Sequence, residues 1–330
     1  MIVLAGDIGG TKTLLQLAEY VHGRLRPAYE QRFASGDYEE FLPLVKNFVN
    51  DAFLSSGLRA ETACFGIAGP VSGRNAVTTN LPWKISADEL ESELGIKQVR
   101  LINDFQSVGY GIEALEPEDL VTLQEGKAVP QGTQIIIGAG TGLGQGFLVW
   151  QNDHYEVVPS EGGHTSFAPT NDVQIELLRY LQKRYNWATW ERAVSGRGLA
   201  NIFDFLLETR QPTLLPALQQ ALQTEDRAAA VSRFGLTNED STASEALDIF
   251  TQLYGAQAGN LALLGLATGG VYVAGGVAPR IIEKMKDGTF MKAFLDKEEH
   301  MQGLLRNMPV KVIVNAEVGL LGSAVAASRL

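Results

Sequence analysis

The chain contains a single cysteine, Cys64, among 330 residues. One cysteine excludes an internal disulfide and any zinc site built from several thiolates, and it fits a reducing compartment, so we expect a cytoplasmic protein. The chain also lacks a run of the ~20 apolar residues that a membrane-crossing helix needs. Its first apolar residues, Met1–Ala5, have no basic segment before them and are followed closely by Asp7. We therefore interpret them as a first β-strand and expect no membrane partner.

Positive charge is scarce as well. Lys and Arg number 27 against 38 Asp and Glu, which gives a formal net charge of -11. An acidic chain is repelled on average by nucleic acid, so we expect no nucleic-acid partner. The histidines show none of the close spacings that a metal site requires, so no tightly held structural metal is predicted. They are His22, His154, His164 and His300.

The chain is rich in apolar residues (45%) and in glycine (35 copies), a composition typical of a globular α/β protein. Its length is enough for two domains with a core each. Apolar patterning predicts strands at Ile2–Ala5, Leu14–Ala18, Thr62–Ala68, Val99–Ile102, Gln134–Gly138, Gly146–Trp150, Val271–Ala274 and Val310–Val314. Helices are predicted at Tyr38–Leu54, Ala87–Leu94, Val173–Tyr185, Leu199–Glu208, Leu214–Gln223, Ala243–Ala267 and Val318–Arg329, the last packing back on the first domain.

Two of these strand pairs enclose glycine-rich polar turns, and the repeated layout indicates an internal duplication. In such turns backbone N–H groups can approach phosphate oxygens closely, while hydroxyls and a lysine add donors and charge. An aspartate beside the turn can hold Mg²⁺ through water. The first turn contains Asp7, Gly9, Gly10, Thr11, Lys12 and Thr13, and the second contains Gly138, Gly140, Thr141, Gly142 and Gly144.

Neither turn alone decides its function. Each could be a β-hairpin turn that merely needs a positive φ. Other glycine-rich phosphate motifs fail on spacing, because the chain has no G-x-x-x-x-G-K-[ST] and neither turn has the G-x-G-x-x-G register of a dinucleotide site. The occurrence of the pair, each turn flanked by strands, favours a phosphate-binding role.

Both turns resemble the two phosphate motifs of the actin, Hsp70 and hexokinase superfamily, and Val273–Val277, with Gly275 and Gly276, resembles its adenosine motif. Within that superfamily the whole chain is similar to the bacterial glucokinases. The segments that carry the resemblance are Leu101–Phe105 (LINDF), Glu161–His164 (EGGH), Trp190–Arg192 (WER) and Val194–Gly198 (VSGRG). The related kinase and repressor family usually has a cysteine-rich zinc motif after its glutamate and histidine segment, and this chain departs from it.

The resemblance implies an α/β protein with the two-domain actin-like ATPase (ribonuclease H-like) fold, a small and a large domain around a cleft. The small domain would comprise residues 1–112 plus 312–330, and the large domain residues 113–311. The resemblance also implies a homodimer and a place in glycolysis.

The resemblance further implies an ATP-dependent glucokinase that converts glucose to glucose 6-phosphate, with Mg²⁺ arriving with the nucleotide. Asp104, at a strand end, would be the base for the 6-hydroxyl, and Asn103, Asp104, Glu161, His164 and Glu191 would bind glucose. ATP would contact Gly9, Gly10, Thr11, Lys12, Gly138, Gly140, Thr141, Gly142, Gly275 and Gly276, and Asp7 would hold Mg²⁺ through water. Ser195, Gly196 and Gly198 resemble a turn on the nucleotide side, and Asn80–Trp83 a turn on the sugar side.

Three alternatives stay open at this stage. By themselves, Asn103 and Asp104 could form a turn or a helix cap, and Glu161, His164 and Glu191 could be surface charges and a satisfied histidine. The acceptor could be mannose, fructose or an N-acetylhexosamine, and the donor polyphosphate, because a few hydrogen bonds separate epimers. A sugar-responsive regulator without catalysis is disfavoured, because such regulators carry an amino-terminal helix-turn-helix module for which Asp7 leaves no room.

Overall fold

The computed structural model describes residues 1–21 and 24–330, and its fold is mixed α/β. His22 lies outside the described residues. The strands are β1 (Ile2–Ile8), β2 (Lys12–Val21), β3 (Arg24–Ala34), β4 (Thr62–Ile67), β5 (Val71–Ser72), β6 (Asn75–Val77), β7 (Lys84–Ser86), β8 (Gln98–Asn103), β9 (Leu120–Gln124), β10 (Gln134–Ala139), β11 (Leu143–Gln151), β12 (His154–Ser160), β13 (Gly270–Ala274) and β14 (Val310–Ile313).

The helices include every one that the apolar pattern predicts. They are α1 (Phe41–Ser56), α2 (Ala87–Leu94), α3 (Asp104–Gly111), α4 (Asp172–Tyr185), α5 (Trp190–Ala193), α6 (Gly196–Arg210), α7 (Pro216–Thr224), α8 (Arg227–Leu236), α9 (Ser241–Leu264), α10 (Ile282–Lys286), α11 (Thr289–Leu295), α12 (Glu299–Asn307) and α13 (Val318–Ala327). No helix in residues 1–21 and 24–330 is both long and apolar enough to cross a membrane.

The chain divides into two compact units, each with a hydrophobic core of its own. Unit 1 comprises Met1–Asp119, Tyr155–Pro159 and Asn315–Leu330. Unit 2 comprises Leu120–His154 and Ser160–Val314. Unit 1 is therefore assembled from three separate stretches of sequence.

The main sheet of unit 1 has the strand order β3-β2-β1-β4-β8. β1 and β2 form the predicted hairpin, with Ile8 opposite Thr13. β1, β4 and β8 run parallel, so their carboxyl ends meet at one edge of the sheet, where Ile67 pairs with Asn103. Ligand sites of open α/β sheets lie at this kind of edge.

The six-stranded sheet repeats this arrangement in the order β12-β11-β10-β13-β14, with β9 added beside β14. All of these strands lie in unit 2 except for Tyr155–Pro159 of β12, which is counted with unit 1. β10 and β11 form an antiparallel hairpin, and β10, β13 and β14 run parallel. Numbered in chain order within each of the two large sheets and without β9, the five strands have the same order, 3-2-1-4-5. The internal duplication predicted from the two glycine-rich hairpins is confirmed.

Helix α1 shows why the apolar spacing predicts helices well here. Its buried face carries Phe41, Leu44, Val45, Phe48 and Ala52 at intervals of three and four residues. The helix ends at Gly57, which adopts φ +72.

The predicted start of α1 at Tyr38 is too early. Tyr38 is extended, and its ring meets Phe33 edge-on at 5.9 Å instead of joining the helical face. Its burial against a strand, and not against the helix, explains the apolar signal at this position.

The apolar pattern misses several elements that are short or polar, among them β3, β9, β12, α3, α5, α8, α10, α11 and α12. In β3 most side chains are exposed, and Phe33 is its one buried position. Without an apolar stripe or an alternating pattern, nothing in the local sequence indicates such a strand.

Helix α13 packs within unit 1, as its small residues predict. Ser323 Oγ donates to the Gly6 carbonyl at 2.8 Å, and Thr62 Oγ1 donates to the Ala327 carbonyl at 2.7 Å. A methyl group on Gly322 would lie 1.7 Å from the Ser107 carbonyl oxygen, so only glycine permits this approach. The last helix is thereby joined to the first and fourth strands of the chain.

Candidate active site

The first glycine-rich turn, in unit 1, is a tight turn whose backbone is held by a serine from the end of β3. Ser35 Oγ donates to the Gly9 carbonyl at 2.8 Å, and the Ser35 N–H donates to the Thr11 carbonyl at 3.1 Å. Gly10 lies against Asn80, since a methyl group there would come within 2.9 Å of the Asn80 Cβ. Glycine at this position therefore permits a close approach to the 80–83 turn.

Asp7 lies next to this turn, one residue before the end of β1. Burial raises the pKa of its carboxyl group, and the charge of Lys12 opposes that rise. A methyl group on Gly319, in the first turn of α13, would lie 3.8 Å from Asp7 Oδ2. The Asp7 carboxylate therefore lies against the first turn of α13.

Asn103 and Asp104 stand where β8 becomes α3. Asn103 is the N-cap, with Oδ1 accepting from the Phe105 N–H at 2.9 Å, and the same N–H donates to Asp104 Oδ1 at 2.8 Å. The helix-cap alternative is thus correct for Asn103 as a matter of local structure, and a cap does not preclude ligand binding.

The carboxyl group of Asp104 has a strongly perturbed pKa. Burial raises the pKa of Asp104 to about 6, the Phe105 N–H lowers it, and the negative charge of Asp7 raises it again. A carboxylate whose pKa is displaced toward neutrality, at a strand end beside a second carboxylate, is typical of a general base.

The second glycine-rich turn, in unit 2, is tied to Glu191. Glu191 Oε2 accepts from the Leu143 N–H at 3.1 Å, and a methyl group on Gly142 would lie 2.5 Å from the same oxygen. Gly140, by contrast, has nothing within 4 Å of the position of a methyl group, so the space beside its Cα is open, while its N–H donates to the Gly142 carbonyl at 2.9 Å. Glu191 thus supports the turn directly, a contact that its expected role in sugar binding does not include.

The segment around Gly275 packs on the same turn. Gly275 has φ +81, and a methyl group on it would lie 2.4 Å from the Ala139 carbonyl oxygen. The Tyr254 hydroxyl, from the middle of α9, accepts from the Ala139 N–H at 2.9 Å and donates to the Ala274 carbonyl at 3.1 Å. This buried hydroxyl joins the ends of β10 and β13. Gly276, which follows β13 by two residues, has nothing within 4 Å of the position of a methyl group.

Ser195 and Gly196 also meet the second turn. The Gly196 N–H donates to the Gly140 carbonyl at 2.8 Å, and Ser195 Oγ caps α6 by accepting from the Gly198 N–H at 3.0 Å. The amino-terminal end of this helix therefore lies beside the glycines of the turn. Such an end is a favourable place for a phosphate group.

Glu161 directly precedes a short turn at Gly162–His164 that follows β12, and His164 is the last residue of that turn. Glu161 Oε2 and His164 Nε2 are 3.8 Å apart, and the two side chains are 91% and 62% exposed, respectively. Both groups are therefore accessible to a ligand from solvent. The turn packs on β11, since a methyl group on Gly163 would lie 2.2 Å from the Leu143 carbonyl oxygen.

The predicted site residues fall into one group in each unit. Unit 1 brings together the residues Asp7, Gly9, Gly10, Thr11, Lys12, Asn103 and Asp104. Unit 2 brings together the residues Gly138, Gly140, Thr141, Gly142, Glu191, Gly275 and Gly276, with Glu161 and His164 on the adjoining turn. Sequence reasoning missed Ser35, Tyr254 and Gly319, whose contacts are made only in three dimensions.

No group of three or more His, Cys, Asp or Glu side chains in the described part of the chain could hold a metal ion. The expected mode of Mg²⁺ binding needs no such group, because one carboxylate acts through water and phosphate oxygens supply other ligands.

Comparison with known proteins identifies the family. A family model described as glucokinase matches residues 4–330. The chain is 44% identical over 343 aligned positions to a protein of Nostoc sp. (strain PCC 7120) named glucokinase, and the match covers 100% of this chain and 99% of that protein. The chain belongs to the glucokinase family. The predicted identity, a glucose kinase and hence a transferase, is confirmed by this membership.

Solved structures agree with the glucokinase fold. A glucokinase from an Antarctic psychrotroph matches with a TM-score of 0.87 at 26% identity, covering 100% of this chain and 99% of that one. A ROK-family glucokinase from Streptomyces griseus, solved in complex with glucose and AMPPNP, matches with a TM-score of 0.64 at 19% identity over 100% of both chains. At that identity the second likeness concerns the fold alone.

Proposed function

We propose that this member of the glucokinase family transfers the γ-phosphoryl group of Mg-ATP to the 6-hydroxyl of glucose, with Asp104 as the general base. The observation that carries the proposal is the carboxylate of Asp104, held at the carboxyl end of β8 with a pKa raised to about 6. At pH 7 such a group is mostly ionised and can accept a proton.

In the proposed reaction the 6-oxygen of glucose attacks the γ-phosphorus as the bond from that phosphorus to the β–γ bridging oxygen breaks. The proton of the hydroxyl passes to an Asp104 carboxylate oxygen, and ADP leaves with the bridging oxygen. Because the transition state of phosphoryl transfer is loose, positioning and charge neutralisation provide most of the catalysis.

The two glycine-rich turns are the proposed binding sites for the triphosphate. Open space beside the Cα atoms of Gly140 and Gly276 and the amino-terminal end of α6 support phosphate contacts in unit 2. In unit 1 the turn Gly9–Lys12 offers backbone N–H groups, a hydroxyl and a lysine. Asp7 is the proposed partner of Mg²⁺ through water. Membership of the glucokinase family supports ATP as the donor.

Glucose is the proposed ligand of Asn103, Asp104, Glu161, His164 and Glu191. Carboxylates can each accept from two hydroxyls, which suits a neutral polyol. Glu191 Oε2 is already engaged by the Leu143 N–H, so Oε1 is the atom that we assign to the sugar.

The remaining features are proposals as well. We propose that the two units correspond to the small and large domains of the actin-like, ribonuclease H-like fold. The domain boundaries predicted from the sequence are 1–112 plus 312–330 and 113–311, and the units differ from them at the junctions and at Tyr155–Pro159. The repeated strand order 3-2-1-4-5 supports that proposal. A homodimer, a cytoplasmic location and a role in glycolysis stay predictions from the sequence. Light scattering at several protein concentrations would test the dimer.

The deciding experiment is a panel of hexoses incubated with Mg-ATP, followed by identification of the product and a count of ADP formed. Glucose should give glucose 6-phosphate with one ADP per sugar, and polyphosphate should not replace ATP. A product phosphorylated elsewhere on the ring would overturn the assignment of the 6-hydroxyl. Faster turnover of mannose, fructose or an N-acetylhexosamine would transfer the proposal to that sugar.

A further inference from the structure

Gln145 is a buried amide without partners. It lies on β11 opposite Ile137, and its side chain is 2% exposed. Neither its Nε2 nor its Oε1 has a hydrogen-bond partner among residues 1–21 and 24–330. Buried polar groups are nearly always paired, and leaving one unpaired costs free energy, so a group of this kind requires a physical explanation.

The surroundings of Gln145 connect it with the Glu161–His164 turn. A methyl group on Gly162 would lie 2.1 Å from Gln145 Oε1, and one on Gly163 would lie 2.2 Å from the Leu143 carbonyl oxygen. The amide therefore lies directly against the backbone of the turn that carries Glu161 and His164. Glycines at both positions allow the turn to approach β11 this closely.

The outer side of the same turn is already hydrogen-bonded. The Gly162 carbonyl accepts from the Thr165 N–H at 3.1 Å and from Thr165 Oγ1 at 2.7 Å, and the Gly162 N–H donates to Ser160 Oγ at 3.0 Å. The inner side, toward β11, faces the unpaired amide. A small movement of the turn toward β11 can therefore bring its backbone within hydrogen-bonding distance of the Gln145 amide.

We propose that Gln145 is a positioning residue for sugar binding. When a sugar binds to Glu161 and His164, the turn moves toward β11 and the Gln145 carboxamide forms hydrogen bonds to the turn backbone. Sugar binding is then favoured because it satisfies a buried amide that is unpaired beforehand. This inference rests on the proposed function, since it assigns the sugar to that turn.

The test is Gln145→Met, which keeps the length of the side chain and removes both unpaired atoms. The variant should melt at the same or a higher temperature than the parent without sugar, because no polar group is left buried and unpaired. Its KM and dissociation constant for glucose should rise by roughly tenfold, the equivalent of about one hydrogen bond. KM for ATP should change by less than about twofold, which separates positioning of the sugar from a general loss of structure.

Gln134→Met is the matched control. Gln134 is also a buried glutamine of this sheet with an unpaired Oε1, at 9% exposure, but it lies at the start of β10, opposite Leu148. Its replacement should leave both KM values unchanged. A tenfold rise in KM for glucose in this control as well would overturn the inference, because the effect would not depend on the turn.

Two further results would also overturn it. One is a Gln145→Met protein with a lower melting temperature and an unchanged KM for glucose. That result would show that the Gln145 amide serves only the stability of the fold. If that variant does not fold, ¹⁵N-glutamine labelling of the parent decides: glucose should shift one side-chain amide pair that exchanges slowly with solvent, and the absence of such a shift contradicts the inference. A parent that does not phosphorylate glucose refutes the proposed function itself, which the parent assay shows before any variant is made.

Discussion

At the scale of single residues, Asp104 combines two properties that oppose each other. Its carboxylate is partly buried at the beginning of α3 and shares its surroundings with the negative charge of Asp7. Both conditions make the ionised form costly, and the proposed chemistry requires that form. Activity and stability should therefore respond in opposite directions when this residue is changed.

The first prediction concerns catalysis. Asp104→Asn should keep glucose binding and lower kcat by roughly 10²-fold or more, because an amide cannot accept the proton. In the parent, kcat/KM for glucose at saturating Mg-ATP should fall below about pH 6, where Asp104 becomes protonated. Titration calorimetry and steady-state assays between pH 5 and 8 measure both effects. Turnover of the variant near the parent rate would show that another group is the base.

The second prediction concerns stability. The folded pKa of Asp104, about 6, lies above the ordinary aspartate value, so the folded protein binds this proton more tightly than the unfolded chain. The contribution of the group to stability is therefore largest in acid and is lost as the pH rises toward 6. Asp104→Asn should be more stable than the parent by roughly 1–3 kcal/mol at pH 7.5, and the difference should close toward pH 4. Urea unfolding at the two pH values is the measurement, and a less stable variant at pH 7.5 contradicts the argument.

At the scale of elements, the glycine-rich segments differ in what they tolerate. Gly275 has φ +81 and lies against the Ala139 carbonyl, whereas Gly276 has open space around it. Gly275→Ala should therefore lower the stability of unit 2 by roughly 2 kcal/mol or more, through backbone strain and a steric clash. Gly276→Ala should cost less than about 1 kcal/mol. Thermal unfolding of the two variants measures the difference. Equal losses of stability would show that the backbone conformation at position 275 does not require glycine.

Local patterns predict most of the regular elements and the two glycine-rich turns, because glycine and apolar periodicity are local signals. They miss β3, whose side chains are mostly exposed, and α3, which follows β8 without a break. The sequence indicates candidate site residues, whose roles stay a prediction, and it does not indicate the contacts among them. The bond from the Leu143 N–H to Glu191 joins positions that lie 48 residues apart, and no local rule relates them.

Two further contacts show the same limit. The Tyr254 hydroxyl reaches Ala139 from the middle of α9, and Gly319 approaches Asp7 across the sheet. The sequence assigns Tyr254 only to the periodic apolar face of a long helix. Its role in joining two strands depends on how that helix packs, which is settled by tertiary structure.

At the scale of the whole molecule, α13 packs against the main sheet of unit 1 and is hydrogen-bonded to two of its strands. Ser323 is fully buried and its hydroxyl donates to the Gly6 carbonyl, a bond between residues 317 positions apart. Ser323→Ala should destabilise the protein by roughly 1–3 kcal/mol, since the Gly6 carbonyl would lose a partner in the core. Ser328→Ala is the control, because that hydroxyl bonds locally to Val325 at the end of the same helix.

Denaturant titration of both serine variants measures these effects. The control should change the free energy of unfolding by less than about 0.5 kcal/mol. A loss of stability in Ser328→Ala as large as that in Ser323→Ala would mean that the helix itself, and not its junction with β1, limits the stability of unit 1.

The three-part composition of unit 1 also governs when it can form during synthesis. The ribosome synthesises residues 1–119 first, then the stretch that contains unit 2, and only afterwards Asn315–Leu330. At about 5–20 residues per second, the ribosome needs on the order of tens of seconds to synthesise the residues between Asp119 and Asn315. Throughout that interval the surface of β1 and β4 that later receives α13 lacks this helix, so nascent unit 1 should be a client for chaperones until Asn315–Leu330 has been synthesised.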